Sequence, residues 1–535
     1  MTAVDVDAGA SEAPDRPAGP YGWVLLAVGL LAVVGLALAT GRHLWFYSDD
    51  WNILSGYHDG GLLEPFNGHL SLLPVLVFQA TARAFGLGSY APFRAVGLAF
   101  YLFLGATVFV YTRVRVGQVA GALMAVLVLL NASAVTNVAF PFLLNFSLPL
   151  SAMVWMWWFL DRATARDDVG ASASLGVALA SSGIGLLAAA AAGVELLWRR
   201  ASLRRWAVMA PPVVLYVGWY AAFHAPVARG TGGPGAVVAY AGRMVLGGFS
   251  SLVGNWRPGG VVLAAGFVVL LGLGALRWRT FDGRVVGGLA AITTFAFLTA
   301  WTRIGIVPRI PPDEPRYCWT IGAVVVLTAA HLLRGRAGPR VARGPAAVVL
   351  ATLLLGAVVL DGVVLAHRLT AWDHQVRDAV AGVRTNLYAA ELAGDRLDPD
   401  RILPLSFIAV RGRDYRRMVA ALGSPVDAYD VRRPTGNAEQ RRTADQLLVE
   451  DLGVTLTAEP AGNRCTALPP TPQTVDVPSD GTLTVCGGTG GVGVRVAMFG
   501  DGVLLGRVAP GGSALVRVPR TPGPTVWRVG ASPMP

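Results

Sequence analysis

The sequence predicts an α-helical polytopic membrane protein with a water-soluble C-terminal domain that turns from mixed α/β to a β-sandwich. Three observations carry this expectation. Of 535 residues, 54% are hydrophobic and only 14% charged, whereas charged residues make up about 25% of an ordinary soluble protein. The apolar residues fall in uncharged runs, many about as long as a hydrocarbon core of roughly 30 Å requires at 1.5 Å per residue. These runs stop near residue 366, after which charges return and short apolar segments alternate with Gly, Pro and Asp.

Taken in order, residues 1–20 are small, polar, acidic and Pro-containing, a disordered cytoplasmic tail without the basic start of a signal peptide. Tyr21–Thr40 is the first span. Further uncharged stretches follow at Ala95–Thr112, Val116–Leu160, Ala171–Val194, Trp206–Phe223, Gly259–Leu276, Val285–Thr302, Tyr317–Ala330 and Pro345–Leu360. Val116–Leu160 is long enough for two spans, with a break near Asn131–Pro141. Compact Arg-rich loops lie between the stretches, and positive loops stay in the cytoplasm. Keeping all of them inside requires Ala171–Leu197 to start and finish on one side, as a hairpin turning at Ser181-Ser182-Gly183. The expectation is about eleven membrane helices over residues 21–366, two of them short. The N-terminus is then inside, and residues 41–94, 224–257, 303–316 and everything after about 366 are outside the cytoplasm.

The net charge of +11 has a local source. The five inner loops hold fifteen Arg against Asp161, Asp167, Asp168 and Asp282, so the whole excess belongs to membrane orientation and none of it argues for a nucleic-acid partner. There is no Lys. That usage, with abundant Ala, Gly, Val and Pro, fits a GC-rich genome such as an actinobacterium's.

The first outer loop, 41–94, is chemically unusual. It opens Trp45-Phe46-Tyr47-Ser48-Asp49-Asp50-Trp51 and continues to Asn67-Gly68-His69. Two adjacent carboxylates among aromatics are either a solvated turn or a site. As a site, apolar walls would raise a carboxylate's pKa and suit it to act as a general base, or the pair would hold a divalent cation through hard oxygen ligands. Leu70–Phe85 is apolar but cannot span if the loop is all outside, so it should lie along the surface over a cleft.

This pattern resembles the glycosyltransferases of the GT-C fold, such as protein O-mannosyltransferases and aminoarabinose transferases. The likeness rests on a first span, an outer loop opening on Ser48-Asp49-Asp50-Trp51, a downstream Gly68-His69 and Tyr90-Ala91-Pro92-Phe93-Arg94 leading into the second span. It covers residues 20–366 in topology. It implies a polyprenyl-phosphate-linked sugar as donor and an Asp at Asp49 or Asp50 as catalytic base. Arg316-Tyr317 resembles the Arg-Tyr element these enzymes place near the donor phosphate, although Cys318-Trp319-Thr320 follows where the family often has a Pro. Arg suits phosphate because its planar fork bonds two oxygens at once. Arg303, Arg309 and His69 join Arg316 and Tyr317 as candidate phosphate contacts. A structural alternative for Arg316 is an ion pair with Asp313 or Glu314. Arg94 reads as an anchor at the membrane surface, and Glu195 as the ion-pair partner of Arg199.

The C-terminal part divides into a helical and α/β region, 367–452, and a β-rich region, 453–535. Ala371–Leu392 has helical spacing. Strands are expected at Thr482–Cys486, Val492–Phe499, Val503–Val508, Ser513–Pro519 and Thr525–Gly530. Cys465 and Cys486, outside the cytoplasm, would form a disulfide closing a loop of about twenty residues, worth about 3 kcal/mol in the chain-entropy picture. The expected function is a multi-pass cell-membrane glycosyltransferase moving a sugar from a polyprenyl-phosphate donor to a cell-envelope glycan or protein acceptor on the outer face. The alternative is a lipid-linked glycan transporter or non-catalytic assembly factor on a similar scaffold.

Overall fold

The computed structural model describes residues 20–533 except 57–60, 67, 163, 224–231, 306–309, 335–344, 406–407, 428, 431–432, 460–473 and 523–524. The N-terminal tail, Arg309 and Cys465 therefore lie outside the described residues. The helices of the bundle are α1 (Tyr21–Thr40), α2 (Asp49–Gly56), α3 (Leu72–Phe85), α4 (Ala91–Val116), α5 (Gln118–Leu129), α6 (Val135–Ala139), α7 (Leu144–Leu160), α8 (Ala165–Ser181), α9 (Gly185–Trp198), α10 (Leu203–Phe223), α11 (Pro234–Ser250), α12 (Arg257–Leu273), α13 (Gly283–Arg303), α14 (Pro315–Leu332) and α15 (Pro345–Ala393).

Helix α1 is apolar on every side, yet only Gly22, Leu26, Gly29, Val33 and Ala37 are buried, one stripe at helical spacing. Its other faces are suited to lipid. Gly29 sets the close approach to α5, because a Cβ there would stand 2.3 Å from a Val126 methyl. Helix α14 is the opposite case. Nearly every residue from Tyr317 to Leu332 is buried, so it is a central helix wrapped by its neighbours.

Among the described residues eight helices are long and apolar enough to cross a membrane, fewer than the eleven expected. The difference has physical causes. Helices α5, α8 and α9 are only 12, 17 and 14 residues long, and α14 carries polar groups because its surroundings are protein. One helix that qualifies, α11, falls in the segment expected to be an outer loop. Its Tyr240 hydroxyl donates to the Ile310 and Pro311 carbonyls at 3.2 Å, and a Cβ on Gly247 would meet Cys318 Sγ, three residues into α14. The middle of α11 is thus tied to the loop before α14 and its C-terminal part to α14 itself, where a Cβ on Gly248 would also meet Ile321. The α8–α9 hairpin turns where expected: the chain is extended at Ser182, whose hydroxyl accepts a bond from Ile184 N at 3.0 Å.

At the far end from this turn the Arg-rich loops are braced by buried ion pairs. Arg284, fully buried, donates from Nε and Nη2 to the two oxygens of Glu195 at 2.7 and 2.9 Å and also meets Asp161 at 2.9 Å. Arg199 joins Glu195 at 3.0 Å, the pairing expected, but the Arg284 fork is the stronger partner. Arg94 likewise serves as an anchor: its guanidinium donates to the Gly41 and Ala37 carbonyls at 2.6 and 2.7 Å, satisfying the open end of α1.

Helix α15 joins two expected segments. The last span and Ala371–Leu392 are one uninterrupted helix of 49 residues, about 74 Å long at 1.5 Å per residue. It is followed by the antiparallel pair β1 (Ile402–Leu405) and β2 (Ile408–Arg411), then α16 (Gly412–Leu422) and α17 (Ala438–Leu452). Two antiparallel sheets complete the chain, in the orders β3-β8-β5 and β4-β9-β6-β7. Their strands are β3 (Thr455–Glu459), β4 (Thr474–Pro478), β5 (Thr482–Cys486), β6 (Val492–Ala497), β7 (Val503–Val508), β8 (Ser513–Arg517) and β9 (Val526–Pro533). Val485 and Val516 from one sheet share a core with Val494, Val496, Trp527 and Val529 from the other. Asp445 of α17 fastens this unit: its carboxylate accepts from the backbone N–H of Met498, Phe499 and Gly500 at 2.7 to 2.9 Å. The same core runs on into Trp45, Phe46, Trp51 and Phe93, so the first loop and the C-terminal domain sit on one end of the bundle.

Candidate functional site

The loop after α1 is folded by its aromatics. Phe46 packs against Trp51, Tyr90 and Phe93 with ring centroids 4.7 to 5.4 Å apart, and Trp51 Nε1 donates to the Phe46 carbonyl at 3.2 Å. Ser48 takes a left-handed conformation, φ 48°, which a non-glycine residue adopts at a cost on the order of 1 kcal/mol. That turn starts α2 immediately afterwards and places both Asp49 and Asp50 in its first turn, where the helix dipole favours negative charge.

The two neighbours have different surroundings. Asp50 is fully buried, and its Oδ2 accepts from the Tyr90 hydroxyl at 2.7 Å and from Tyr47 N at 3.1 Å. Burial pushes its pKa up to about 7 in spite of those bonds, with the charge of Asp49 adding to the rise. Asp49 is only partly buried and lies near enough to the Arg316 guanidinium, 267 positions along the chain, to act on its charge.

Arg316 stands in the first turn of α14. Its Nε lies 3.4 Å from Glu314 Oε1, so one of the two ion pairs expected as an alternative is made, while Asp313 goes to Arg257 at 3.1 Å. The guanidinium sits over the Tyr317 ring at 5.5 Å. The buried Tyr317 hydroxyl makes no well-formed hydrogen bond and so has capacity left for another group.

His69 completes the cluster from the loop side. A two-way backbone pairing with Phe66, 2.9 Å in each direction, and a left-handed Gly68 at φ 78° form the tight turn that presents it. It packs against the α8–α9 turn, where a Cβ on Gly183 would fall 2.6 Å from His69 Nδ1. Burial, helped by the positive charge of Arg303, pushes the His69 pKa down to about 4, so the ring is neutral near pH 7 and offers one donor and one acceptor. Arg303, at the end of α13, faces both His69 and Tyr240.

The structure thus puts Asp49 in electrostatic range of Asp50 and Arg316, Arg316 over Tyr317, and His69 in electrostatic range of Arg303. Arg309 lies outside the described residues. Residues without an expected role also take part: Tyr90 holds Asp50, Tyr240 borders Tyr317 and Arg303, and Gly183 makes room for His69. Tyr90 opens the Tyr90-Ala91-Pro92 motif, the one signal that marked it. Asp50 Oδ2 already receives two hydrogen bonds, and among the described residues no three His, Cys, Asp or Glu side chains converge as ligands. Cys486 ends β5 opposite Ser513, and its proposed partner Cys465 lies outside the described residues.

No family model matches the chain. No curated protein is similar to it in sequence. Among solved structures, ArnT from Cupriavidus metallidurans, an aminoarabinose transferase bound to undecaprenyl phosphate, is similar at 14% identity and a TM-score of 0.48, over 93% of this chain and 98% of that one. The Archaeoglobus fulgidus oligosaccharyltransferase in complex with Zn and sulfate is similar at 13% identity and a TM-score of 0.37, over 69% of this chain and 56% of that one. The same oligosaccharyltransferase tethered to an acceptor peptide gives 12% identity and a TM-score of 0.37, over 82% and 69%.

Proposed function

We propose that this chain is a membrane glycosyltransferase of the GT-C kind, taking a sugar from a polyprenyl-phosphate donor and passing it to a hydroxyl of a cell-envelope glycan or protein acceptor. What supports the reading is that Asp49, in the first turn of α2, stands within electrostatic range of Arg316, in the first turn of α14, while a neutral His69 is in like range of Arg303. The acceptor oxygen attacks the anomeric carbon while Asp49 takes its proton. The bond from that carbon to the phosphate oxygen breaks, and its electron pair leaves with the lipid phosphate. Charge builds up on the departing phosphate, and Arg316 and Arg303 stabilise it from positions fixed before the reaction. Tyr317 and His69 supply neutral donors to the same oxygens. Asp50 does not reach substrate in this reading; held by Tyr90, it fixes the first turn of α2 and so positions Asp49.

The Arg-rich loops gather at the end of the bundle away from this cluster, which supports placing the cluster and the C-terminal domain outside the cytoplasm. Carriage of an intact lipid-linked glycan is the weaker reading, because the buried charges at the far end are tied into a static brace around Arg284 and Glu195. The test is sugar transfer by purified Asp49→Asn. Transfer is expected to fall at least 100-fold, in the usual range for loss of a general base, with the amount of protein in membranes unchanged. Full transfer by that variant would remove Asp49 as the base.

A further inference from the structure

A second cationic chamber lies on the other face of α14. It has a volume of about 450 Å³ and is lined by Arg243 of α11, Asn255 and Arg257 at the α11–α12 turn, Asp313 and Cys318 around the start of α14, and Arg368 of α15. At about 100° per helical residue, Arg316 and Cys318 point to nearly opposite sides. The first turn of α14 is therefore a partition, with the Asp49 cluster on one side and this chamber on the other. The volume is within the usual range for small-ligand sites, roughly 300 to 1,000 Å³.

Three guanidinium groups face the space against one carboxylate. Arg257 is matched by Asp313 at 3.1 Å. Arg368 donates only to the Ala132 carbonyl at 3.3 Å, and Arg243 makes no hydrogen bond or ion pair among the described residues. Asn255 is held left-handed at φ 59° by its place in the turn, with its Oδ1 accepting from Ser133 Oγ at 2.8 Å. Its amide Nδ2 is buried and has no partner. A chamber with two uncompensated guanidinium groups and an unused amide donor is matched to an anion rich in acceptor oxygens.

We propose that this chamber binds a phosphate-class anion, the charged group of the acceptor, so that donor and acceptor phosphates sit on either side of the start of α14. The inference rests on the glycosyltransferase reading for the word acceptor, but the anion site itself does not depend on it.

The test uses the full-length protein in phosphatidylcholine nanodiscs and two radiolabelled probes, inorganic pyrophosphate and a polyprenyl phosphate. Wild type should bind two equivalents of at least one probe. The double variant Arg243→Gln/Arg368→Gln should weaken one of the two by about tenfold or more, and Arg316→Gln should weaken the other. Weakening of pyrophosphate alone assigns the chamber to a soluble or glycan-borne phosphate, and weakening of the lipid probe assigns it to a lipid headgroup. Arg243→Lys/Arg368→Lys, which keeps the charge, should retain most of the binding and shows that the Gln variant has not merely lost its fold. Unchanged binding of both probes by the Gln variant overturns the proposal. Because Asp49→Asn reports on the reaction and the double variant on anion binding, either idea can fail while the other stands.

Discussion

The carboxyl group of Asp50 should leave a readable mark on stability. It is fully buried, and burial lifts its pKa from 3.8 to about 7. A rise of that size corresponds to about 4 kcal/mol between the two protonation states. The sign follows from proton counting. Between pH 4 and 7 the folded chain retains a proton on Asp50 that the unfolded chain has released, so stability falls as pH rises and levels off above about 7. His69 acts in the opposite direction. Its pKa drops from 6.5 to about 4, so the unfolded chain binds the extra proton and stability rises over that window. The two contributions partly cancel in the wild type, which is why the variant is needed. Asp50→Asn keeps an oxygen for the Tyr90 hydroxyl and removes the ionisation. Relative to wild type it should gain about 4 kcal/mol between pH 4 and 7, seen as a rising difference in unfolding midpoints followed by tryptophan fluorescence in detergent. A difference between Asp50→Asn and wild type that stays constant with pH would refute the reasoning.

Two further outcomes are expected. Arg284→Met leaves the buried Glu195 carboxylate with Arg199 alone and should destabilise the bundle by about 3 kcal/mol, while Arg284→Met/Glu195→Met recovers most of the loss; thermal melts of the solubilised proteins measure both. Gly183→Ala drives a methyl group into His69, so sugar transfer should fall at least tenfold with protein yield little changed, and His69→Ala made in the Gly183→Ala background should cost little more.

The sequence was informative wherever one periodic signal dominated. Strands β5 and β7 match the expected Thr482–Cys486 and Val503–Val508, and the hairpin turn falls at the Ser-Ser-Gly triplet. Strands β3 and β4 went unseen; each is a five-residue edge strand, mostly exposed. The continuity of α15 was hidden by Arg368, Asp373 and His374, charges that read as the end of a membrane segment but are tolerated once the helix enters water. At the site, adjacency in sequence was misleading. Asp49 and Asp50 look equivalent on paper, and only the fold separates them, by bringing Tyr90 to one and Arg316 to the other. No local pattern encodes either partner choice.

Helix α15 has a mechanical consequence. A single helix that begins within the bundle and ends at Ala393 joins the C-terminal domain to it without a hinge, and the shared aromatic core beneath prevents it from pivoting. The domain is a fixed ceiling. Its position along the strut is set by helix rise, about 1.5 Å for each residue. Inserting one residue into the exposed part of that strut would turn the ceiling by about 100° and set it out of register with the core it shares with the first loop.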